Sequence, residues 1–274
     1  MITNYVVLRL NVRSSHVKVF VNGFPFNELE TVSGASTLPM NSYLIKGENE
    51  LQFVFLTSDV IPNSSDKPSG FGVAGSIYLL DPDGNKKNIV EFQLDEEDAE
   101  FDEENKQAIA HVSFVQNDYD VSPWRDQFQE IHEDEYDDLK QFVLKINDIV
   151  NRGDLDELLK IISLNLQVGP VTHKVSDEEF RKELMNPINE ILEKGNIKKK
   201  ILPEEIILES YMDNRFVVAK IKPNFSKDFN KEYELDLEED KVIDVVEVKY
   251  DEKNRLSIPV SIVKIAGKYF VFLL

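Results

Sequence analysis

Carboxylates are the side chains through which this sequence could do chemistry in quantity. Of 274 residues, 51 are Asp or Glu against 31 Lys or Arg, a formal net charge of −20. The excess is local: residues 95–138 carry 17 acidic and 2 basic side chains, whereas residues 1–94 carry 9 and 7, and residues 139–274 carry 25 and 22. Two runs dominate, Asp95-Glu-Glu-Asp-Ala-Glu-Phe-Asp-Glu-Glu104 and Glu133-Asp-Glu-Tyr-Asp-Asp138. Such a field repels nucleic acid and anionic membrane and attracts cationic proteins or metal ions. The same kind of run also serves as a solvated, self-repelling face, and clustered carboxylates at 95–104 could hold Ca²⁺ weakly.

Catalytic signatures are sparse. The four histidines, His16, His111, His132 and His173, form no pair at metal-ligand spacing, and Ile131-His-Glu-Asp-Glu135 lacks the second histidine that a zinc-protease helix presents at i+4. With no cysteine, thiolate metal sites and disulfides are excluded. Neither a Gly-x-Ser-x-Gly elbow nor a phosphate-cradling Gly-x4-Gly-Lys-Ser/Thr loop occurs. Asp81-Pro-Asp-Gly-Asn85 starts like a calcium loop, but its twelfth position is Phe92, so it reads as a hairpin turn. The basic cluster Lys194 with Lys198-Lys-Lys200 reads as a helix C-terminus, where cations favour the dipole.

The elements that must carry these residues fall into two patterns. Up to about residue 118, apolar residues alternate between clusters of Gly, Asn, Asp, Ser and Pro, predicting strands at 4–12, 17–21, 50–57, 72–80, 88–94 and 107–115. Many short strands with turn signals imply a β-sandwich, and 95–104 is then an acidic loop within it. From Ser122-Pro123 the period becomes helical. Trp124, Phe128, Ile131, Leu139, Phe142, Val143, Ile146, Ile149 and Val150 predict one amphipathic helix of roughly 28 residues, which the acidic stretch 133–138 could break, with Trp124 and Phe128 buried. A second helix opens at Asp154, with Glu157 three residues on, and a third spans about 176–194 with a kink at Pro187. Period two then returns at 206–211, 216–222, 231–237, 242–248, 256–265 and 268–274.

Two resemblances follow from particular residues. Val17-Lys-Val-Phe-Val-Asn-Gly23, then Lys46-Gly-Glu-Asn-Glu-Leu-Gln-Phe-Val-Phe55 and Gly75-Ser-Ile-Tyr-Leu-Leu-Asp-Pro-Asp-Gly84, resemble the layout of galactose-binding-domain-like jelly rolls. That implies a jelly-roll sandwich over about 4–95, with Phe24 and Phe26, in a loop, as aromatics for a sugar. Ile146-Asn-Asp-Ile-Val-Asn-Arg-Gly-Asp-Leu-Asp-Glu-Leu-Leu159 resembles the helix junction of the nuclear-transport-factor-two-like (SnoaL-like) cone fold, which implies a cone over about 122–274. Enzymes of that fold place an Asp–His or Tyr–Asp pair in the cone, and only His132 and His173 exist beyond residue 111.

The expected architecture is therefore two domains. Residues 1–118 form an all-β jelly-roll sandwich, and residues 119–274 form an α+β domain of three helices on a curved antiparallel sheet. The expected function is a non-catalytic acidic protein that captures a basic protein partner, most concretely an immunity-type inhibitor, with no cofactor, no metal, no nucleic acid and no membrane. Its expected recognition residues are Glu96, Glu97, Asp98, Asp102, Glu103 and Glu104 in the loop, with Glu133, Asp134, Asp137 and Asp138 on the helix. Folding alone is not expected to need any of these: eight acids in the ten residues of the loop repel one another, and like charges at i and i+4 on the helix would cost a few tenths of a kcal/mol per pair. The alternatives are a small-molecule enzyme using the cone pocket and a carbohydrate-associated accessory protein. The longest apolar run, 269–274, is far short of the ~20 residues of a membrane helix, and no secretory signal is read at the start, so a cytoplasmic location is expected.

Overall fold

In a computed structural model, the structure describes residues 5–13, 17–29, 34–56, 72–102, 104, 107–195, 200–222, 243–249, 255–258 and 260–272. The architecture is mixed, with many antiparallel strands and a few helices. The chain divides into two compact units, one of Met1–Arg125 with Gly169–Val175, the other of Asp126–Val168 with Ser176–Leu274.

The first unit carries β1 (Tyr5–Arg13), β2 (Val17–Val21), β3 (Phe24–Leu29), β4 (Gly34–Pro39), β5 (Gly47–Leu56), β6 (Gly72–Leu80), β7 (Lys86–Asp95), β8 (Glu100–Asp102) and β9 (Gln107–Gln116). They form a four-stranded sheet, β4-β1-β6-β7, and a five-stranded sheet, β3-β2-β5-β9-β8, both antiparallel. Alternation decides which face is buried. Val6, Leu8, Leu10 and Val12 of β1, and Leu51, Phe53 and Phe55 of β5, are enclosed. Phe53 of the larger sheet meets Phe92 of the smaller one at 5.7 Å between ring centroids. Asn22-Gly23 closes β2 onto β3 with φ of 53° and 84°, the paired positive angles of a tight hairpin turn that Asn and Gly tolerate best.

Several expected elements differ. Phe24 and Phe26 sit on β3 rather than in a loop, and β4 lies in a Gly-Ala-Ser-Thr-Leu-Pro stretch with no apolar alternation. The acidic run 95–104 is not one loop. A 3₁₀ turn at Glu96–Asp98 leads from β7, at the edge of one sheet, to β8, at the edge of the other.

The roughly 28-residue helix is broken. Helix α1 (Ser122–Arg125) ends after one turn, a 3₁₀ turn occupies Glu133–Glu135, and α2 runs over Tyr136–Arg152. Between them the Gln129 N–H donates to the Lys264 carbonyl and the Ile131 N–H to the Asn214 carbonyl, both at 2.8 Å. These amides are committed to strand ends and cannot serve a helix. Trp124 is half-buried, whereas Phe128 is buried with its ring edge-on to Phe272.

The second unit continues with α3 (Leu155–Ile161), α4 (Ser163–His173) and α5 (Asp177–Lys194). Asp154 caps α3 by accepting from the Glu157 N–H, and Ser176 with Glu179 forms a capping box on α5. Helix α4 was not expected, so three helices becomes a correction; its last residues belong to the first unit. Its Gly169-Pro170 pair and weak amphipathicity hid it from a reading by period. Strands β10 (Ile206–Tyr211), β11 (Phe216–Ile221), β12 (Ile243–Asp244), β13 (Val246–Lys249), β14 (Arg255–Ile258), β15 (Val260–Ile265) and β16 (Lys268–Val271) follow. The sheet order is β10-β11-β15-β16, with β12 also on β11 and β13-β14 a separate hairpin. The strand expected at 231–237 lies outside the described residues. Leu139, Val143, Ile146 and Val150 of α2, Ile188 and Ile191 of α5, and Val217, Ile221, Val260 and Ile262 of the sheet make one aliphatic core.

Candidate partner-binding surface

The acidic residues divide by what they touch. In the first unit, the Asp95 carboxylate accepts from the Glu97 N–H at 3.0 Å, and Asp98 accepts from the Asp95 N–H at 3.0 Å, a reciprocal cap on the 3₁₀ turn. Asp102 accepts from the Glu104 N–H at 3.0 Å and is half-buried. Asp95 and Asp98 thus cap the 3₁₀ turn, and Asp102 holds the Glu104 amide beyond β8. Glu96, Glu97 and Glu104 are exposed, and Glu103 lies outside the described residues.

In the second unit, Glu133 and Asp134 are exposed on the 3₁₀ turn that precedes α2, and Asp137 and Asp138 are exposed in its first turn. The expected placement of all four on one continuous helix is therefore corrected. At a helix N-terminus carboxylates meet orphan N–H groups and the positive end of the dipole, so Asp137 and Asp138 favour α2 rather than strain it. Glu135, not singled out by sequence, is the anchor. It pairs with Lys264, accepts from the Tyr269 hydroxyl at 3.3 Å, and accepts from the His132 N–H at 3.1 Å. The Lys264 hydrogen bond, helped by the His132 N–H, holds its carboxyl below the usual range, while burial and then the nearby Glu135 charge push the Tyr269 hydroxyl up to about 12.

The histidines do not assemble a site among the described residues. His111 approaches Glu50 at 3.4 Å across two strands, His132 approaches Glu130 at 3.4 Å, and both are exposed. No three His, Asp or Glu side chains converge as a metal site among the described residues. Inside the second unit lies a cavity of about 40 Å³ lined by Ile146, Val150, Leu158, Ile162, Ile188 and other aliphatic side chains. That is far below the ~300 Å³ at which small-ligand sites begin, and among the described residues no ionisable group lines it.

The residues that carry the jelly-roll resemblance are structural. Asn49, 1% exposed, accepts from the Ile45 N–H and the Asn22 amide, and donates to the Ile45 and Gly47 carbonyls, all at 2.8–2.9 Å. Asn22 accepts from the Glu50 N–H and donates to the Tyr43 carbonyl. Every amide valence is spent on backbone or on its neighbour. Phe24 is fully buried, and both it and Phe26 stand edge-on to Tyr43, which removes Phe24 as a sugar platform.

One feature escaped the sequence. A cleft of about 560 Å³ lies on the outer face of the β4-β1-β6-β7 sheet, walled by Arg9, Asn11, Ser76, Glu91 and Gln93. Each of these alternates outward on its own strand, but only the pairing of β1 with β6, more than sixty residues on, brings Arg9 and Asn11 beside the residues of the β6-β7 hairpin. Comparison with known protein families, with curated proteins and with solved structures finds no match to this chain.

Proposed function

We propose that the chain is a non-catalytic binding protein that captures a basic protein partner through its carboxylates, in the manner of an immunity-type inhibitor. The observation that supports this is the exposure of Glu96, Glu97, Glu104, Glu133, Asp134, Asp137 and Asp138 within a segment of net charge −15. Exposed like charges in that number raise association rates with cationic surfaces, and long glutamates beyond the capping aspartates reach a partner without disturbing the turn. The aliphatic lining of the second unit's cavity gives a catalytic reading no polar group to work with. In finer detail, the first unit is read as a jelly-roll sandwich and the second as a cone-like α+β domain, in a cytoplasmic protein.

The experiment is capture from the source cell on immobilised wild-type chain and on a variant carrying Glu96→Gln, Glu97→Gln, Glu104→Gln, Glu133→Gln and Asp134→Asn. The reading expects a partner of high isoelectric point retained by the wild type and lost from the variant. Retention of the same proteins by both would overturn it.

A further inference from the structure

We propose that the cleft on the outer face of the β4-β1-β6-β7 sheet binds a short extended peptide by its charged ends, the carboxylate on Arg9 and the ammonium on Glu91. The antiparallel register sets Arg9, Ser76 and Glu91 in one row across β1, β6 and β7, and Asn11, Ala74 and Gln93 in a second row two residues along. Between the rows run Leu10, Gly75 and Phe92, whose side-chain face is the opposite one. Leu10 is buried, and the Phe92 ring meets Phe53 and covers the inner side of Gly75. Backbone and the small Ala74 and Ser76 side chains therefore floor the cleft.

Sheet geometry fixes its dimensions. Positions two apart on a strand are about 7 Å apart, the width left for one chain, and strands one and three of the row are about 10 Å apart. An extended chain advances about 3.4 Å per residue, so the terminal charges of a tripeptide stand roughly 10 Å apart. The walls match those charges in kind. A guanidinium fork takes a carboxylate through two parallel bonds, and a carboxylate takes an ammonium. The Asn11 and Gln93 amides each offer a donor and an acceptor, which is what a peptide group in the middle of the ligand requires. Among the described residues no ion pair joins Arg9 to Glu91, because Ser76 stands between them; Glu91 accepts from the Asn88 amide through one of its two oxygens. One positive and one negative wall in a chain of net charge −20 suit a zwitterion rather than a polycation, and among the described residues the one aromatic that lines the cleft, Phe92, turns its ring to Phe53 on the inner face rather than outward to stack a sugar.

The test is isothermal titration calorimetry of the full chain with trialanine, with N-acetyl-trialanine, with trialanine amide, with the doubly capped N-acetyl-trialanine amide and with maltotriose. Trialanine is expected to bind, and capping both ends to weaken it by about tenfold or more. Arg9→Gln should weaken trialanine and abolish the preference for a free carboxylate, while Glu91→Gln should abolish the preference for a free amine, with circular dichroism and melting unchanged in both. Absence of binding at about 10 mM trialanine, equal binding of the capped peptide, indifference to both substitutions, or binding of maltotriose instead would each overturn the proposal.

Discussion

Single residues in this chain act through backbone contact as much as through charge. A Cβ added to Gly75 would stand 2.5 Å from the tip of the Phe92 ring and 2.6 Å from the Arg9 carbonyl oxygen. The ring tip can yield, but the carbonyl belongs to a ladder paired on both sides of β1. Gly75→Ala should therefore cost about 1–3 kcal/mol in urea unfolding, and Phe92→Leu in the same background should recover part of it. An alanine variant as stable as wild type would mean that the Phe92 ring does not pack over β6. The acids sort at this scale as well. Asp95, Asp98 and Asp102 are short enough to reach back to the N–H groups of their own turn, and Glu96, Glu97 and Glu104 are left at the surface. That division was not legible in the sequence, where eight acids in ten residues look alike and only the observed turn tells them apart.

At the scale of elements, local rules succeeded where local contacts decide the structure. Strands β1, β2, β6 and β9 were legible from alternation, and the start of α3 from Asp154 with Glu157. The break between α1 and α2 was not, because the carbonyls that claim the Gln129 and Ile131 amides lie more than eighty residues away. Helix α2 is fixed at its start by Glu135 on Lys264 and Tyr269, which gives the junction an acid sensitivity of definite sign. The Glu135 carboxyl is held below its ordinary 4.5, so the pair contributes stability above that pH and loses it as pH falls through the folded value. The melting temperature of wild type should accordingly exceed that of Glu135→Gln at pH 7, and the gap should narrow as pH falls below 4.5. A gap that stays constant over that range would show that the Glu135 charge does not hold the start of α2.

At the scale of the whole molecule, the two patterns in the sequence correspond to a β-rich part and an α+β part, but the chain does not divide at one point. Gly169–Val175 belongs with the first unit, where Lys174 pairs with Asp118 at 3.6 Å and lies over the Tyr119 ring at 4.5 Å. A fragment of residues 1–125 should thus fold, by circular dichroism, but melt below the corresponding transition of the full chain, and an equal melting temperature would mean that Gly169–Val175 contributes nothing to it. The cleft of the first unit was illegible for a related reason, since one of its walls comes from β1 and the rest from the β6-β7 hairpin more than sixty residues on.

The acidic surface is the property on which the functional reading rests, and its signature is kinetic. The direct measurement is the association rate of the captured basic partner with wild type and with the five-residue Glu96→Gln, Glu97→Gln, Glu104→Gln, Glu133→Gln, Asp134→Asn variant, from low to physiological salt and above. The account predicts that the wild-type rate is about tenfold or more faster at low salt and falls steeply as salt rises, that the variant is slow and nearly salt-independent, and that dissociation changes less than association. Equal rates with equal salt dependence for the two proteins would contradict it and leave the carboxylates a solvated face.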